Sequence, residues 1–448
     1  MSTTQDWLAR LTRKQGQPST YEDYRRNEAL EKLARIGNTG TWAEASRDYN
    51  GFVREVAVRE LSRQPSPEAL AVLIERLNDW VPQVRDLAAD ALKTYFSPAH
   101  VHAWLSALGP LMALQAQRRI DHGPTLTAIH TILQSMDCRD QVYAEFLRQQ
   151  GKAARYLFAL LLEDTQTTQT LLRGALAHRD SSVRLMAVVA SQTLPAVQRL
   201  PLLLEALPRS GAKVRARVLY ALLPLLADPA SVLHEALLDA SPAVRNLALW
   251  AAPSHGIDVQ AVLNQRLDQQ LPESKPHWLG VIGLASELAA QLPEHWRAQA
   301  LCCACVSVRR DAVKMLGTEQ LPELFAALDD PSEKVFAVAI AQLNEAPWPS
   351  IMNDLTAKLD RDWHELTSTR RLAIFRLCPS WQQLKYLLGR LHTGCAGQAY
   401  WLEQINRWCD ARGAVLDHVT PRAEREMVRK TLGELATAGR LRSGLHLL

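Results

Sequence analysis

A valine followed by an arginine recurs along this chain, and apolar or small residues follow it with the spacing of one helix face. The shorter steps between successive valines are 27, 30 and 31 residues. Gaps of 99 and 64 residues fit three and two such units, so the period is about 31 residues. A period of this length indicates a repeat architecture. The copies begin at Val53, Val84, Val183, Val214, Val244, Val308 and, with phenylalanine in place of arginine, Val335.

A leucine-rich stretch with helical spacing precedes these copies, for example at residues 68–77 and 230–238. Serine–proline and aspartate–proline pairs stand where helices are expected to begin. The side-chain oxygen accepts free backbone N–H groups, and proline suits the first helical turn. Each unit is therefore predicted to contain two helices joined by a tight turn. The pairs are Ser66-Pro67, Ser97-Pro98, Asp228-Pro229, Ser241-Pro242 and Asp330-Pro331.

An acidic residue in the turn and an arginine on the second helix form another repeated feature. Aspartate precedes the arginine by six residues in three units, and arginine occupies the same helix position in three more. In a stack of units, these side chains predict a ladder of carboxylate–guanidinium hydrogen bonds between neighbours. The ladder residues are Asp48 and Arg54, Asp79 and Arg85, Asp239 and Arg245, with Arg184, Arg215 and Arg309 in the other units.

With these valines, turn aspartates and helix arginines, the sequence resembles HEAT repeats, especially the short HEAT-like repeats of the phycobiliprotein-lyase (PBS-lyase) type. The resemblance implies an all-α fold, a right-handed α-α superhelix of the armadillo type with about ten to twelve helix pairs. We expect a solenoid over residues 41–345, divergent at 97–175, between an N-terminal helical cap (1–40) and a C-terminal capping region (346–448). In that last region Thr420-Pro421 is expected to open a helix that Gly439 ends.

Two positions of each second helix, the second and the sixth after the valine, point away from the predicted core at 100° per residue. The resemblance implies that this side lines a concave groove. The second positions are Glu55, Asp86, Leu185, Ala216, Asn246, Arg310 and Ala337, and the sixth are Arg59, Asp90, Val189, Tyr220, Trp250, Lys314 and Ala341.

These outward side chains are mixed in charge in the first units, apolar and aromatic in the middle units, and basic towards the end. Contiguous exposed apolar side chains mark interaction sites, and Tyr and Trp are favoured at protein interfaces. The alternative is that a tightly curled superhelix buries them. The predicted partner-binding residues are Leu185, Val189, Tyr220, Asn246, Trp250, Arg310 and Lys314.

Composition narrows the possible classes of protein. The formal net charge is +4 over 448 residues, which is too small to identify a nucleic-acid-binding protein by itself. Apolar runs such as 220–227 are far shorter than the roughly twenty residues of a membrane span. Seven cysteines do not form a disulfide framework, and residues 1–14 contain no secretory apolar stretch, so we expect a reducing, cytoplasmic location.

Residues capable of chemistry do not form a recognisable site. Cys302, Cys303 and Cys305 lie within four residues, but a tetrahedral zinc site needs four ligands and no second cysteine pair follows. His-Glu pairs begin only at His234 and His364, whereas the HEAT-like deoxyhypusine hydroxylases use four such pairs. No phosphate-binding loop or nucleophile motif occurs. We therefore predict no catalytic residue, no cofactor and no metal.

The sequence is typical of a non-catalytic scaffold that binds a protein partner in its groove. Its composition is rich in Leu, Ala, Arg and Gln and looks bacterial, and bacterial HEAT-like proteins resemble adaptors or immunity proteins that sequester a toxin. The alternative is a nucleic-acid-binding or repair protein, similar to the AlkD-like DNA glycosylases in its helix pairs and arginine content. A DNA groove should, however, be basic along its length. Five tryptophans between 348 and 408 are expected to pack the cap or to form a second partner surface.

Overall fold

The computed structural model describes residues 21–39, 41–163, 168–393, 397–410 and 417–442. These residues form 27 α-helices joined by short turns, and no strand occurs among them, which confirms the all-α class. Residues 1–20 of the predicted N-terminal cap lie outside the described residues. The chain forms two compact units, residues 1–227 (unit 1) and 228–448 (unit 2). The predicted domain boundaries near 40 and 345 remain predictions.

Helices α1 to α14 belong to unit 1. They are α1 Tyr21–Thr39, α2 Trp42–Ala45, α3 Gly51–Arg63, α4 Pro67–Arg76, α5 Pro82–Leu92, α6 Val101–Ser106, α7 Leu108–Leu114, α8 Gly123–Leu133, α9 Arg139–Arg148, α10 Gly151–Leu162, α11 Thr168–Leu176, α12 Ser181–Ala190, α13 Ala196–Ala206 and α14 Ala212–Leu222.

Helices α15 to α27 belong to unit 2. They are α15 Ala230–Leu237, α16 Pro242–Ala251, α17 Val259–Leu267, α18 Lys275–Glu287, α19 Glu294–Leu301, α20 Val306–Lys314, α21 Leu321–Ala327, α22 Glu333–Glu345, α23 Trp348–Asp362, α24 Ser368–Phe375, α25 Ser380–Thr393, α26 Gln398–Asp410 and α27 Arg422–Thr437.

The valine of every copy is buried, with no more than 2% of its surface exposed. The residue four positions later, one helical turn on, is buried as well. Burying one such valine contributes about 1.5–3 kcal/mol, so every copy of the pattern stabilises the stack. The valines are Val53, Val84, Val183, Val214, Val244, Val308 and Val335, followed by Ala57, Ala88, Ala187, Val218, Ala248, Ala312 and Ala339.

Second helices pack on second helices within each unit, as one-dimensional stacking of repeats requires. In unit 1, α3 packs on α5, and α10, α12 and α14 follow one another. First helices α4, α6 and α9 are also neighbours in order. In unit 2, α18, α20 and α22 form the same kind of row. Each unit is therefore a stack of helix pairs.

The stretch 97–175, where the repeat pattern fades, still contains two helix pairs. They are α6 with α7 and α9 with α10, and α8 is an additional helix that packs beside α6. In α10, Ala154 and Phe158 take the buried positions of the valine and of the residue four later. The divergence is therefore in side-chain identity and in one inserted helix, while the stacking continues.

Helix starts follow the expected capping chemistry at some of the predicted positions. The Ser66 hydroxyl accepts a hydrogen bond from the N–H of Ala69, and Asp228 accepts one from Ala230. Ser97-Pro98 instead opens a short 3-10 segment with no side-chain cap. The prediction was also wrong at Asp330-Pro331, since α22 begins at Glu333 and Ser332 caps it. Asp330 instead accepts from the N–H of Ser332 in the turn and pairs with Arg309.

The tryptophan-rich end of unit 2 is mainly core, as expected. Trp363, Trp381, Trp401 and Trp408 are buried, and the Trp363 ring contacts that of Trp401 at 5.3 Å between centroids. Helix α27 follows Thr420-Pro421, and Gly439 adopts a positive φ of 68° after its end, which is a left-handed stop that favours glycine.

Candidate partner-binding surfaces

The intra-repeat turns hold the second helices in position. In four turns an aspartate oxygen accepts a hydrogen bond from the N–H two residues on, a local turn that aspartate favours. His178 accepts the equivalent bond from the N–H of Asp180 through Nδ1, and its Nε2 lies 3.0 Å from the Phe146 carbonyl oxygen. These turns set the direction in which the five second helices that follow them start. The four aspartates are Asp48, Asp79, Asp239 and Asp330.

Arginines of the second helices donate hydrogen bonds to the turn of their own repeat and form ion pairs with the next repeat. Arg54 donates to the Asp48 carbonyl and makes a two-bond ion pair with Asp79, both bonds 2.8 Å long. Both side chains are almost completely buried. Arg309 makes the same kind of pair with Asp330, at 2.6 and 3.0 Å. These two pairs are rungs of the predicted ladder, and Asp330 is a member that the sequence analysis missed.

Other predicted ladder residues have different partners. Arg245 pairs with Glu287 near the end of α18 instead of with a turn aspartate, and Asp48 pairs with Lys32 of α1. Arg85 donates to the carbonyl of Asp79, but no carboxylate among the described residues accepts from it. Arg215 donates to the carbonyl of Ser210 in its own turn. The bond to a turn carbonyl therefore recurs at the five ladder arginines other than Arg184, whereas the carboxylate partner of Arg245 lies on a helix and not in a turn.

The sixth position after the valine is exposed in the middle repeats, which argues against the alternative that these side chains are core. In unit 1, Val189 on α12 is 50% exposed and Tyr220 on α14 is 53% exposed. Arg217 lies over the Tyr220 ring at 5.5 Å from its centroid. Leu185, at a second position, packs against the core and is half-buried. We call Leu185, Val189 and Tyr220 the unit 1 surface, with Val189 and Tyr220 as its exposed part.

In unit 2 the corresponding helix α16 carries an exposed Asn246 and Trp250, and Trp250 is 72% exposed. On α20, Lys314 is exposed, but Arg310 pairs with its neighbour Asp311 at 2.6 Å. The predicted basic end is therefore partly neutralised, because Asp311 offsets the Arg310 charge. Asn246, Trp250, Arg310 and Lys314 are the predicted partner-binding residues that lie in unit 2.

Two exposed aromatic residues in the turns were not predicted. Tyr49 and Trp80 each follow a turn aspartate, and a cation lies over each ring: Lys32 at 3.9 Å from the Tyr49 centroid and Arg54 at 5.1 Å from that of Trp80. The signal was present in the sequence, as an aromatic residue after the aspartate in two successive turns. Because cation–π contacts hold both rings, they contribute to the turn itself.

A groove of about 660 Å³ lies between α23 and α25 in unit 2. Trp348, Met352 and Tyr386 line it with apolar surface, and Arg390 donates to Asp360 at its edge at 3.1 Å. Burial, with the neighbouring Asp360 charge, raises the pKa of the Tyr386 hydroxyl. Sequence patterns did not indicate this groove, because it depends on the distance between two helices.

Chemical groups elsewhere remain scattered. Among the described residues, no three His, Cys, Asp or Glu side chains are grouped in a way that would hold a metal ion. Cys302 is exposed, and the Cys303 sulfur accepts from the N–H of Cys305 at 3.5 Å, in the place where other turns have aspartate. In the described part of the chain, no helix combines the length and apolar character needed to cross a membrane.

Comparison with known proteins gives distant structural likenesses only. No protein-family model matches the sequence, and no curated protein matches it. Crystal structures of Kap121p, alone and bound to Nup53p, have TM-scores of 0.34 and 0.35 at 16% identity, and each covers 92% of this chain. The C-terminal fragment of the Chaetomium thermophilum cohesin loader SCC2 has a TM-score of 0.31 at 13% identity over 96% of this chain. This chain spans 51% of the Kap121p chains and 43% of the SCC2 fragment.

Proposed function

We propose that this protein is a non-catalytic repeat scaffold that binds a protein partner through the outward side of its second helices. The observation that supports this most is the exposure of Val189, Tyr220 and Trp250 at one equivalent helix position. Large apolar side chains in water cost free energy, and repeated ones at equivalent positions are typical of interaction sites. Tyr and Trp are also the residues that most often dominate binding energy at protein interfaces.

Within this proposal, one specific role is that of an immunity protein, a cytoplasmic bacterial protein that sequesters a cognate toxin. The family resemblance suggests it, and aromatic anchors on rigid helices suit tight binding because little conformational entropy is lost. Identification of the protein that co-purifies with the full chain from its host tests this role. A toxin as the partner would support it, and a housekeeping partner would contradict it.

A variant with both Val189→Ala and Tyr220→Ala is expected to lose the co-purifying partner while its stability changes by less than about 0.5 kcal/mol. Both side chains are exposed, so their removal leaves the core intact. Partner recovery by mass spectrometry and thermal unfolding would be measured together. The matched control is Tyr24→Ala with Val197→Ala, two exposed residues of unit 1 outside the unit 1 surface. Equal partner recovery from both variants would contradict the proposal.

Nucleic-acid binding is the second candidate function, because residues 168–227 carry eight Lys and Arg against two Asp and Glu. Glu55, Asp86 and Asp90 at the equivalent outward positions of α3 and α5 oppose it, since they would repel phosphates. We expect no retardation of a random-sequence duplex in a gel-shift titration at about 50 mM salt. Retardation that weakens steeply with salt would favour this second candidate instead.

A further inference from the structure

The last two helix pairs of unit 1 concentrate positive charge. Residues 168–227 have a net charge of +6, whereas the whole chain has +4. The two acids in this stretch are already engaged. Asp180 caps α12 through the N–H of Ser182 and accepts from the N–H of Gly151, and Glu205 pairs with Arg173 and Arg209. Eight cations therefore face only two acids within the stretch.

One ladder rung in this stretch lacks its carboxylate. Arg184 has the register of Arg54 and Arg309, one residue after a buried valine. The turn of the next repeat carries Arg209 at the position where the partners of Arg54 and Arg309 are Asp79 and Asp330. No acceptor for the Arg184 guanidinium occurs in the described part of the chain, and its Nε atom is buried without a partner.

Arg184 nevertheless points towards that turn. Its Nη2 atom lies 3.9 Å from the point where a Cβ atom of Gly211 would be. Gly211 leaves this space open immediately before α14. The guanidinium thus has the direction of a ladder arginine, but the position of its usual partner carries Arg209 and offers no carboxylate.

Three exposed cations belong to the same two neighbouring repeats as Arg184. Arg179 precedes α12, while Lys213 and Arg217 lie on α14, and none of them has a carboxylate partner among the residues that the structure describes. Lys213 is the second residue of α14, where the positive end of the helix dipole disfavours a cation. Helix stability therefore does not account for this charge. We call Arg179, Arg184, Arg209, Lys213 and Arg217 the basic edge.

We propose that the basic edge binds an acidic segment of a protein partner, whose carboxylate completes the rung at Arg184. This inference rests on the proposed function and specifies the chemistry of the partner. A carboxylate fits because the equivalent arginines Arg54 and Arg309 each hold one in a two-bond pair. The same guanidinium geometry suits a side-chain carboxylate of Asp or Glu from outside the chain.

A protein segment fits better than a nucleic acid for two reasons. The basic edge is confined to two helix pairs, whereas a duplex needs phosphate contacts along a longer path. The same two helices present Val189 and Tyr220 to solvent, which suit apolar side chains interspersed with the acids. The partner segment would therefore combine Asp or Glu with apolar residues.

The Arg209→Asp variant tests the proposal, because it places a carboxylate where the complete rungs have one. A fluorescent ten-residue polyglutamate is the probe, used with the full chain at about 50 mM salt. We expect the wild type to bind it and the variant to bind at least about tenfold more weakly, because its own carboxylate occupies Arg184 and reduces the local charge. Its unfolding temperature should be unchanged or higher.

Two further variants control this experiment. Arg422→Asp makes the same charge change at a highly exposed site of unit 2 and is expected to bind polyglutamate within about twofold of wild type. Arg184→Gln removes the guanidinium, and we expect it to weaken binding as Arg209→Asp does, without raising the unfolding temperature. It also keeps the test decisive if Arg209→Asp does not fold.

Three results would overturn the inference. The first is that the wild type does not bind polyglutamate. The second is that wild type, Arg209→Asp and Arg184→Gln bind it equally. The third is that the wild type binds a ten-nucleotide oligothymidylate at least about tenfold more tightly than the peptide. The first two would leave the proposed function standing, since that depends on partner recovery by the Val189 and Tyr220 variant. The third would identify the edge as a nucleic-acid interface.

Discussion

The Asp79→Ala variant is expected to lose about 3–5 kcal/mol of the free energy of unfolding of unit 1, the largest loss that we predict from removing a side chain. Asp79 compensates the buried charge of Arg54 through two bonds of 2.8 Å, and Arg76 also contacts it at 3.2 Å. Without the carboxylate, a guanidinium with 2% of its surface exposed keeps its charge and has no counterion. Urea unfolding followed by circular dichroism measures the loss.

The control for Asp79→Ala is Asp90→Ala, which breaks a pair of similar length with Lys93. Both of those side chains are about 70% exposed. Solvent screens such pairs, so we expect the control to lose less than about 1 kcal/mol. A comparable loss in the two variants would contradict the view that the buried rung stabilises the stack.

The same ion pair predicts how the stability of unit 1 depends on pH. Burial by itself raises the pKa of the Asp79 carboxyl, but bonds from Arg54 and from the N–H of Val81, with the charge of Arg76, outweigh burial and hold the pKa below its ordinary value of 3.8. The stabilisation is therefore complete above about pH 4 and is lost as the pH falls through the folded-state pKa. Asp79→Ala should show a weaker loss of stability in acid than the wild type.

Gly280→Ala is expected to destabilise unit 2 by about 3 kcal/mol or more. A Cβ atom at this position would lie 2.0 Å from the carbonyl oxygen of Leu238 and 2.8 Å from its carbonyl carbon. These are backbone atoms at the end of α15, so relief requires α18 to move away from its neighbour. Thermal and urea unfolding of the variant against wild type measure the effect.

Two other glycines provide comparisons for Gly280→Ala. At Gly283 the added methyl would meet the Arg245 guanidinium at 2.2 Å, and a side chain can move, so we expect a smaller loss that also weakens the Arg245–Glu287 pair. At Gly433 in α27 it would meet no atom within 4 Å. Alanine is the better helix former, so Gly433→Ala should gain up to about 1 kcal/mol. A similar free energy of unfolding for Gly280→Ala and Gly433→Ala would contradict the close approach of α18 to the Leu238 carbonyl.

Much of the fold was predictable because its signals are local. The buried valines, the residues four positions later and the exposed Val189, Tyr220 and Trp250 all follow from the 3.6-residue period of a helix. A buried position and an exposed one are fixed by their separation along the same helix. The phase of the repeat could therefore be assigned from the sequence without knowing which helices pack together.

The partners of the arginines were predictable only in part. Asp79 and Asp330 stand in the turn that follows Arg54 and Arg309, 25 and 21 residues later, whereas Glu287 lies 42 residues after Arg245. Gly280 and Gly283 allow α18 to approach α15 and Arg245, and this approach brings Glu287 to the guanidinium. A sequence pattern alone does not predict how closely α18 approaches these neighbours.

The sequence by itself determined the all-α class, the phase of the repeat and the helix face that carries the exposed residues, because helical periodicity relates neighbours within one element. Only the tertiary structure decided which arginines pair with a carboxylate, that Arg310 is offset by Asp311, and that the Arg184 guanidinium lies beside Gly211 with its Nε unpartnered. Whether a charge is satisfied depends on the distance to groups in other elements and on the rotamers that packing allows, and neither is encoded by spacing along the chain.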